Sequence, residues 1–238
     1  MKSKVISTVT KSLPDFFDYS YKSLVFNRYG FFLKTLKYIY ISSDTPDAYT
    51  LLLLHGTGGN ENDLLPIAGN FGDDFNILSL RGNITEHGMP RFFKRLGMGV
   101  FDEQDLSFRT DEMVSFIKEI AAEKGFNSNK VIALGYSNGA NIAGAALLKY
   151  PGFLAGALLF RPMQPFKNFS ISANGRQTPV FFSSGKFDAT VQPKDTKNYV
   201  KLLQASGYNL AFQDMEAGHN LIKEDIELAV SWYAENFR

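Results

Sequence analysis

The chain has 238 residues and a formal net charge of +1, with 45% apolar and 21% charged residues. This composition is ordinary for one globular domain of about this length. The balanced charge argues against a dedicated nucleic-acid-binding protein, and the absence of Cys excludes disulfides, thiolate zinc sites and cysteine nucleophiles. The three His residues (His55, His87 and His219) have no metal-ligand spacing, so we expect no metal site and no organic cofactor.

The N-terminal stretch, residues 1–35, is basic and aromatic and has poor periodicity. Two interpretations stay open: an arm that packs on the domain or on a second subunit of a homodimer, and a lid or a segment that contacts a membrane surface. We favour the packing arm. No apolar run is long enough to span a membrane and no signal peptide is recognisable, so we expect a cytoplasmic protein.

Residues 36–238 are predicted to form a single α/β domain, because apolar strands alternate with helical patterns there. The predicted strands are 36–41, 50–54, 75–80, 131–134, 153–160, 179–184 and 209–214. The predicted helices are 62–69, 109–124, 140–148, 194–206 and 221–237. This order indicates a mostly parallel sheet with helices on both faces. Residues 81–106 form a long connection without periodicity, which is typical of a functional or mobile segment.

A strand, a G-x-S-x-G turn and a helix of small residues follow one another in residues 131–148. A Cβ atom at Gly135 or Gly139 would crowd the neighbouring strand or helix, so the turn is tight and the serine backbone is strained. Such a nucleophile elbow lifts the serine hydroxyl above a helix N-terminus, which favours negative charge. The motif also occurs by chance in Gly-rich turns, but its place at a strand-to-helix junction favours Ser137 as a catalytic nucleophile.

A serine hydroxyl needs a base within hydrogen-bond reach, and His219 is the best candidate because it lies in a loop between the last strand and the last helix. Asp188, just past a strand end, is predicted to orient the imidazole. Asp195 lies within a predicted helix and Asp214 is close to the histidine along the chain, so both are weaker candidates. The order Ser, Asp, His is that of the α/β-hydrolase fold.

The negative charge that develops on the substrate oxygen during ester cleavage needs preorganised N–H donors. One should be the backbone N–H of Asn138, and the other should come from the loop His55-Gly56-Thr57-Gly58-Gly59 after the second strand. We predict the Thr57 N–H, with Gly58 as the alternative, and expect His55 to be structural. A phosphate-binding loop is the competing interpretation, but no G-x-x-x-x-G-K-[ST] or G-x-G-x-x-G follows a strand.

Taken in order, L-L-L-H-G-T-G-G, G-Y-S-N-G-A-N-I-A, G-K-F-D and G-H resemble the phospholipase/carboxylesterase (dienelactone-hydrolase-like) group of α/β hydrolases. The chain is most similar to the bacterial carboxylesterases of quinone and methylhydroquinone resistance. Those proteins share the segment R-G-x-x-x-E-x-G-M-P-R-F-F-K-R-L, found here at residues 81–96. The resemblance covers residues 36–238 and leaves the N-terminal stretch as an addition.

The resemblance implies an α/β-hydrolase fold and assigns the site residues as Ser137 (nucleophile), Asp188 (acid), His219 (base), and Thr57 and Asn138 (main-chain oxyanion donors). It also implies that Met89, Phe92 and Phe93 line the substrate pocket, although plain core packing explains the Phe pair equally well. The acyl-protein thioesterase branch has Gln after the nucleophile, where this chain has Asn138. That departure weakens the transfer of long-chain thioester substrates.

We therefore expect a serine hydrolase that cleaves small-molecule carboxylic esters, with small-acyl or aryl esters preferred. One alternative is an acyl-thioesterase or lysophospholipase that acts near a membrane. Another is a non-catalytic small-molecule-binding protein on the same fold. An intact set of Ser, Asp and His argues against the last, since a receptor needs no nucleophile and base together.

Overall fold

A computed structural model describes residues 25–26, 32–33, 36–97, 99–170 and 174–238. Within the N-terminal stretch it gives one antiparallel strand pair, β1 (Val25–Phe26) and β2 (Phe32–Leu33). The arm, lid and membrane interpretations of residues 1–35 otherwise lie outside the described residues.

The main sheet has seven strands in the order β13-β12-β11-β10-β4-β5-β3, and all neighbours are parallel except β3, which runs antiparallel to β5. These strands are β3 (Lys37–Ile41), β4 (Thr50–Leu54), β5 (Asn76–Arg81), β10 (Val131–Tyr136), β11 (Gly156–Phe160), β12 (Pro179–Gly185) and β13 (Asn209–Met215). Two further hairpins stand outside the main sheet. They pair β6 (Ile84–Glu86) with β7 (Met89–Arg91) and β8 (Arg95–Gly97) with β9 (Val100–Phe101).

Helices cover both faces of the sheet, as predicted. They are α1 (Leu65–Ala68), α2 (Glu103–Lys124), α3 (Asn138–Lys149), α4 (Pro193–Ala205) and α5 (Lys223–Phe237). The apolar run of β4 is continuous because the residues on both of its faces are buried. Leu52 and Leu54 belong to the core beneath α2, α3 and α4, whereas Leu51 and Leu53 belong to the core beneath α1 and α5. Both faces of a central strand are thereby removed from water.

The long connection between β5 and α2 differs from its prediction. Residues 81–106 hold the two hairpins, and α2 begins at Glu103 rather than at residue 109. The Asp102 carboxylate accepts a hydrogen bond of 3.0 Å from the Asp105 N–H and so caps the helix six residues earlier than the apolar pattern indicates. Strands of two or three residues are too short to give a clear periodicity, so the sequence pattern did not show these hairpins.

A Gly139→Ala substitution should test the tight turn after β10. An added Cβ would overlap the Leu54 carbonyl, a backbone group that cannot move without distorting β4. We expect the free energy of unfolding, measured by urea denaturation, to fall by about 3 kcal/mol or more. Gly69→Ala is the matched control, because an added Cβ there meets no atom within 4 Å. It should be neutral or stabilising by up to about 1 kcal/mol. Equal stability of the two variants would contradict the close approach.

Candidate active site

The turn between β10 and α3 has the strained geometry of a nucleophile elbow. Ser137 has φ 51° and ψ −110°, in the left-handed half of backbone space that non-glycine residues rarely occupy. A Cβ added at Gly135 would lie 2.6 Å from the Ala140 nitrogen, so the first turn of α3 can close only over a glycine. The Ser137 N–H donates a 2.9 Å hydrogen bond to the Phe160 carbonyl, which fixes the serine against the end of β11.

The three residues predicted from separate motifs meet at the carboxyl edge of the sheet. His219 Nε2 lies 2.9 Å from Ser137 Oγ, and His219 Nδ1 lies 2.7 Å from Asp188 Oδ2. Ser137 follows β10, while Asp188 and His219 lie in the loops after β12 and β13. The carboxyl ends of neighbouring parallel strands share one edge, which is where open α/β sheets place their sites.

Asp188 is held in its ionised form. Its side chain is buried, which alone would raise the carboxyl pKa, but hydrogen bonds from Thr190 and His219 outweigh burial and lower the pKa below its usual value. The Thr190 N–H and hydroxyl donate to Asp188 Oδ1 at 2.8 and 2.6 Å. A carboxylate beside Nδ1 favours the tautomer with the proton on Nδ1. Nε2 is then free to accept the Ser137 hydroxyl proton.

The two alternative acids are engaged elsewhere. Asp214 accepts a 2.7 Å hydrogen bond from the Ser184 hydroxyl, and Asp195 lies in the first turn of α4. Within the described part of the chain, neither bonds to His219. The geometry therefore favours Asp188, as the strand-end position predicted.

His55 is a buried structural residue, as expected. Its Nδ1 lies 2.6 Å from the Gly56 carbonyl and its Nε2 accepts a 3.0 Å hydrogen bond from the Gly82 N–H. Burial lowers the pKa of this imidazole, so it stays neutral. Both ring nitrogens are used to tie the loop after β4 to the loop after β5, which leaves none for proton transfer.

The loop after β4 also contains Thr57 and Gly58, the two alternatives for the second oxyanion donor, and its hydrogen bonds distinguish them. The Gly58 N–H donates a 2.9 Å hydrogen bond to the Pro90 carbonyl and is not free. Among the described residues, the Thr57 N–H has no backbone acceptor. Asn138 is the first residue of α3, a position whose N–H has no acceptor within the helix. Thr57 is therefore a better candidate than Gly58 for the second donor, and Asn138 remains the candidate for the first.

The predicted pocket lining needs a correction. Phe92 and Phe93 are 3% and 0% exposed and pack in the core. Full burial of an aromatic ring there stabilises the fold more than partial burial at a solvent-exposed site would. Met89 is 38% exposed and stays a candidate lining residue. Phe92 contributes through its backbone, because its N–H donates a 2.8 Å hydrogen bond to Asn138 Oδ1. The connection is thus bonded to the residue after the serine.

Sequence reasoning missed the residues that support the site. The Tyr136 hydroxyl donates to the His219 carbonyl at 3.2 Å, and Thr190 donates to Asp188. Thr190 could have been found, since Asp followed two residues later by Thr is typical of an Asx turn. Arg161 could also have been noticed, because a charged residue directly after the apolar strand β11 indicates a buried interaction. Its contacts are described below.

No group of three or more His, Asp or Glu side chains in the described ranges is arranged to hold a metal ion. In the same part of the chain, no helix combines the length and apolar character needed to cross a membrane.

Comparison with known proteins agrees with this geometry. The sequence profile of the phospholipase/carboxylesterase family matches residues 37–233. The chain belongs to this family. The MhqD hydrolase of Bacillus subtilis is 42% identical over 200 residues, which span 84% of this chain and 98% of that protein. The crystal structure of a Bacillus cereus carboxylesterase superposes with a TM-score of 0.82 at 40% identity, covering 85% of this chain and 95% of that one.

A more distant relative is acyl-protein thioesterase 1 of Cryptococcus neoformans, which is 25% identical over 197 residues, or 75% of this chain and 83% of that protein. The family membership and the structural match establish a carboxylesterase-type hydrolase with the α/β-hydrolase fold. The resemblance read from the motifs is confirmed.

A Thr190→Val substitution should lower stability in a pH-dependent way. Because the folded-state pKa of Asp188 is lowered, its carboxylate stabilises the fold above the unfolded pKa of about 3.9, and this stabilisation is lost as the pH falls through the folded value. Removing the hydroxyl donor should lower the free energy of unfolding by about 1.5–3 kcal/mol at pH 7. The difference in free energy of unfolding between the variant and the wild type, measured by urea denaturation, should become smaller below about pH 4.

Thr110→Val is the control, because the buried Thr110 hydroxyl donates to the Leu106 carbonyl, which does not titrate. Its loss of stability should be the same at every pH. A pH-independent loss for Thr190→Val would show that the Thr190 hydroxyl does not stabilise the ionised carboxylate.

Proposed function

We propose that this carboxylesterase-type hydrolase cleaves carboxylic esters of small acyl groups through an acyl-enzyme on Ser137. The observation that carries the proposal is the continuous hydrogen-bonded chain from Ser137 Oγ through His219 to Asp188, at 2.9 and 2.7 Å. A hydroxyl, an imidazole and a buried carboxylate in this order are the groups that acyl transfer requires. The strained backbone at Ser137 supports the same role.

The chemistry follows from the positions of the protons. His219 Nε2 takes the hydroxyl proton as Ser137 Oγ attacks the acyl carbon, and the imidazolium is stabilised by the ionised Asp188. When the tetrahedral intermediate collapses, the carbon–oxygen bond to the alcohol breaks and Nε2–H protonates that oxygen. A water molecule then attacks the acyl-enzyme, gives its proton to Nε2, and the proton returns to Ser137 as the acid leaves.

The negative charge of both tetrahedral intermediates needs donors that are already in place. We assign this role to the backbone N–H groups of Thr57 and Asn138. Asn138 supplies a helix N-terminus, whose dipole also favours an anion. The hydrogen bond from Gly58 to Pro90 holds the Thr57 loop in shape, so neither donor has to reorganise during the reaction.

A cleft beside the site supports a small acyl group. Its volume is about 330 Å³, and its lining joins the Thr57 loop to the residues that follow His219. The apolar part of the lining comes from Leu64, Ile67, Tyr136 and Leu221. This volume lies at the low end of the usual range for small-molecule sites, about 300–1,000 Å³. The preference for aryl esters loses its basis, because Phe92 and Phe93 lie in the core.

Thioester cleavage is the second candidate, since the distant relative from Cryptococcus neoformans is an acyl-protein thioesterase. The proposed site would attack a thioester carbonyl in the same way, and the cleft again limits the acyl group. Action at a membrane would depend on residues 1–35, which lie almost wholly outside the described residues.

Substitutions of the serine and the acid test the mechanism with p-nitrophenyl acetate. Ser137→Ala should lower kcat by at least about 10³-fold, because it removes the attacking oxygen. Asp188→Asn should lower kcat by about 10⁴-fold, since an amide favours the wrong tautomer of His219. The measurement is initial rates over a range of substrate concentrations.

Asp214→Asn is the matched control for the acid, because Asp214 lies near the carboxyl end of β13 but bonds Ser184 instead of His219. It should retain kcat within about twofold of wild type, because Asp214 does not belong to the hydrogen-bonded chain of Ser137, His219 and Asp188. If Ser137→Ala kept full activity, the serine would have no part in the reaction. If Asp214→Asn matched Asp188→Asn, the assignment of the acid would be wrong.

The cleft predicts a dependence on acyl length. From acetate to butyrate, kcat/KM should rise by up to about fourfold per added CH2, since burying each group is worth about 0.8 kcal/mol. Longer acyl chains should gain nothing further. Ile67→Phe should fill the cleft and lower the butyrate-to-acetate ratio of kcat/KM. Ile41→Phe, at an exposed position on the edge strand β3, is the control and should leave the ratio unchanged.

Acyl thioesters with the same acetyl and butyryl groups separate the second candidate from the first. A larger kcat/KM for thioesters than for alkyl esters would favour the thioesterase.

In the test of acyl length, an unchanged butyrate-to-acetate ratio of kcat/KM in Ile67→Phe would show that the acyl group binds outside this cleft.

A further inference from the structure

Arg161 forms a buried ion pair directly behind the candidate site. It follows β11, and its side chain and that of Asp225 are 0% exposed. The guanidinium binds the carboxylate through two hydrogen bonds of 2.8 and 2.7 Å, the geometry for which Arg is best suited. Burial alone would raise the pKa of Asp225, but hydrogen bonds from Arg161, Ile222 and Ser183 keep it low.

Two of the three remaining donors of the guanidinium reach the loop that carries His219, and the third binds the Ser183 hydroxyl. Arg161 Nε donates to the Gly218 carbonyl at 2.9 Å, and Nη2 donates to the Asn220 carbonyl at 3.2 Å. The Tyr136 hydroxyl donates to the carbonyl between them, that of His219 itself, at 3.2 Å. Side chains thus satisfy three consecutive carbonyls of a loop that has no regular secondary structure.

Stability alone does not account for this arrangement. Moving two charges out of water is costly, and apolar residues of similar size often stabilise a fold as well or better. The backbone at Arg161 is also strained, with φ 53°. A planar group with five fixed donors does what apolar residues cannot, because it sets the spacing of two carbonyls at once.

We propose that Arg161, anchored by Asp225, is a positioning residue that holds the His219 imidazole at its distance from Ser137 and Asp188. The inference rests on the proposed function, since it concerns the base of that reaction. Among the described residues, Arg161 forms no hydrogen bond with Ser137 or with the His219 ring. It acts through the two peptide carbonyls that flank the histidine.

The test compares Arg161→Lys with Ser183→Ala in the full chain. Lys keeps the charge beside Asp225 but is a single point donor that cannot hold both carbonyls. We expect kcat for p-nitrophenyl acetate to fall about 30- to 100-fold, as for a misplaced catalytic group, with KM within about twofold of wild type. The rate of Ser137 labelling by a fluorophosphonate should fall in parallel. Solvent exchange of the His219 Nδ1 proton, followed by NMR, should be faster.

Ser183→Ala is the matched control, because the Ser183 hydroxyl bonds Arg161 and Asp225 but not the loop of residues 218–220. It should lose stability and yet keep kcat within about threefold of wild type. All rates are compared well below the melting temperature of each variant. Equal loss of kcat in both variants would show that the effect is one of general stability and would overturn the inference.

If Arg161→Lys does not fold, the double substitution Arg161→Met with Asp225→Leu replaces the pair by apolar groups of similar size. It leaves no unpaired buried charge, so the protein should fold, and kcat should still fall at least about tenfold. Wild-type kcat in that protein would overturn the inference. Failure of the proposed function is distinct, because the wild type would then show no fluorophosphonate labelling at Ser137. Wild-type labelling with unchanged rates in Arg161→Lys rejects the positioning role alone.

Discussion

The close approach of α3 to the ends of β4 and β10 is the constraint on which the rest of the site depends. It exists because Gly135 and Gly139 present no Cβ to the backbone atoms that pass beside them. The helix can then begin immediately after Ser137, and the serine is forced to φ 51°. Asn138 is placed in the first turn, with its N–H at the helix end and its side chain bonded to Phe92. One local bend therefore sets the direction of the hydroxyl, the helix dipole and one of the proposed oxyanion donors together.

His219 is positioned by a different kind of interaction. The serine is held by backbone geometry, whereas the histidine lies in a loop without regular secondary structure. Its ring is fixed from one side by Asp188 and Thr190, and its backbone from the other by Tyr136 and Arg161. Loops are the mobile parts of a fold, and a base must be placed to within a fraction of an ångström. Side-chain hydrogen bonds to consecutive carbonyls meet that requirement without secondary structure.

This difference explains what could be predicted from sequence. The sheet, the elbow and the roles suggested for Ser137, Asp188 and His219 rest on local signals: apolar runs, glycine spacing and residues just past strand ends. The hairpins of residues 81–106 and the burial of Phe92 depend on tertiary packing, which no local period encodes. The contacts of Arg161 with the His219 loop and with Asp225 join residues 57 to 64 positions apart, so nothing near it in the chain identifies these partners. An isolated charge after a buried strand could have indicated only that some partner must exist.

The junction of Phe160 and Arg161 links the two halves of the site. The Phe160 carbonyl accepts the N–H of Ser137, and the next residue donates to the carbonyls on both sides of His219. The distance between Ser137 and His219 therefore depends on one peptide unit at the end of β11 as well as on the hydrogen bond between the two side chains. Arg161 adopts a strained conformation, with φ 53°, where both contacts form. A cost of order 1–3 kcal/mol at this position is consistent with strain kept for the geometry of the site.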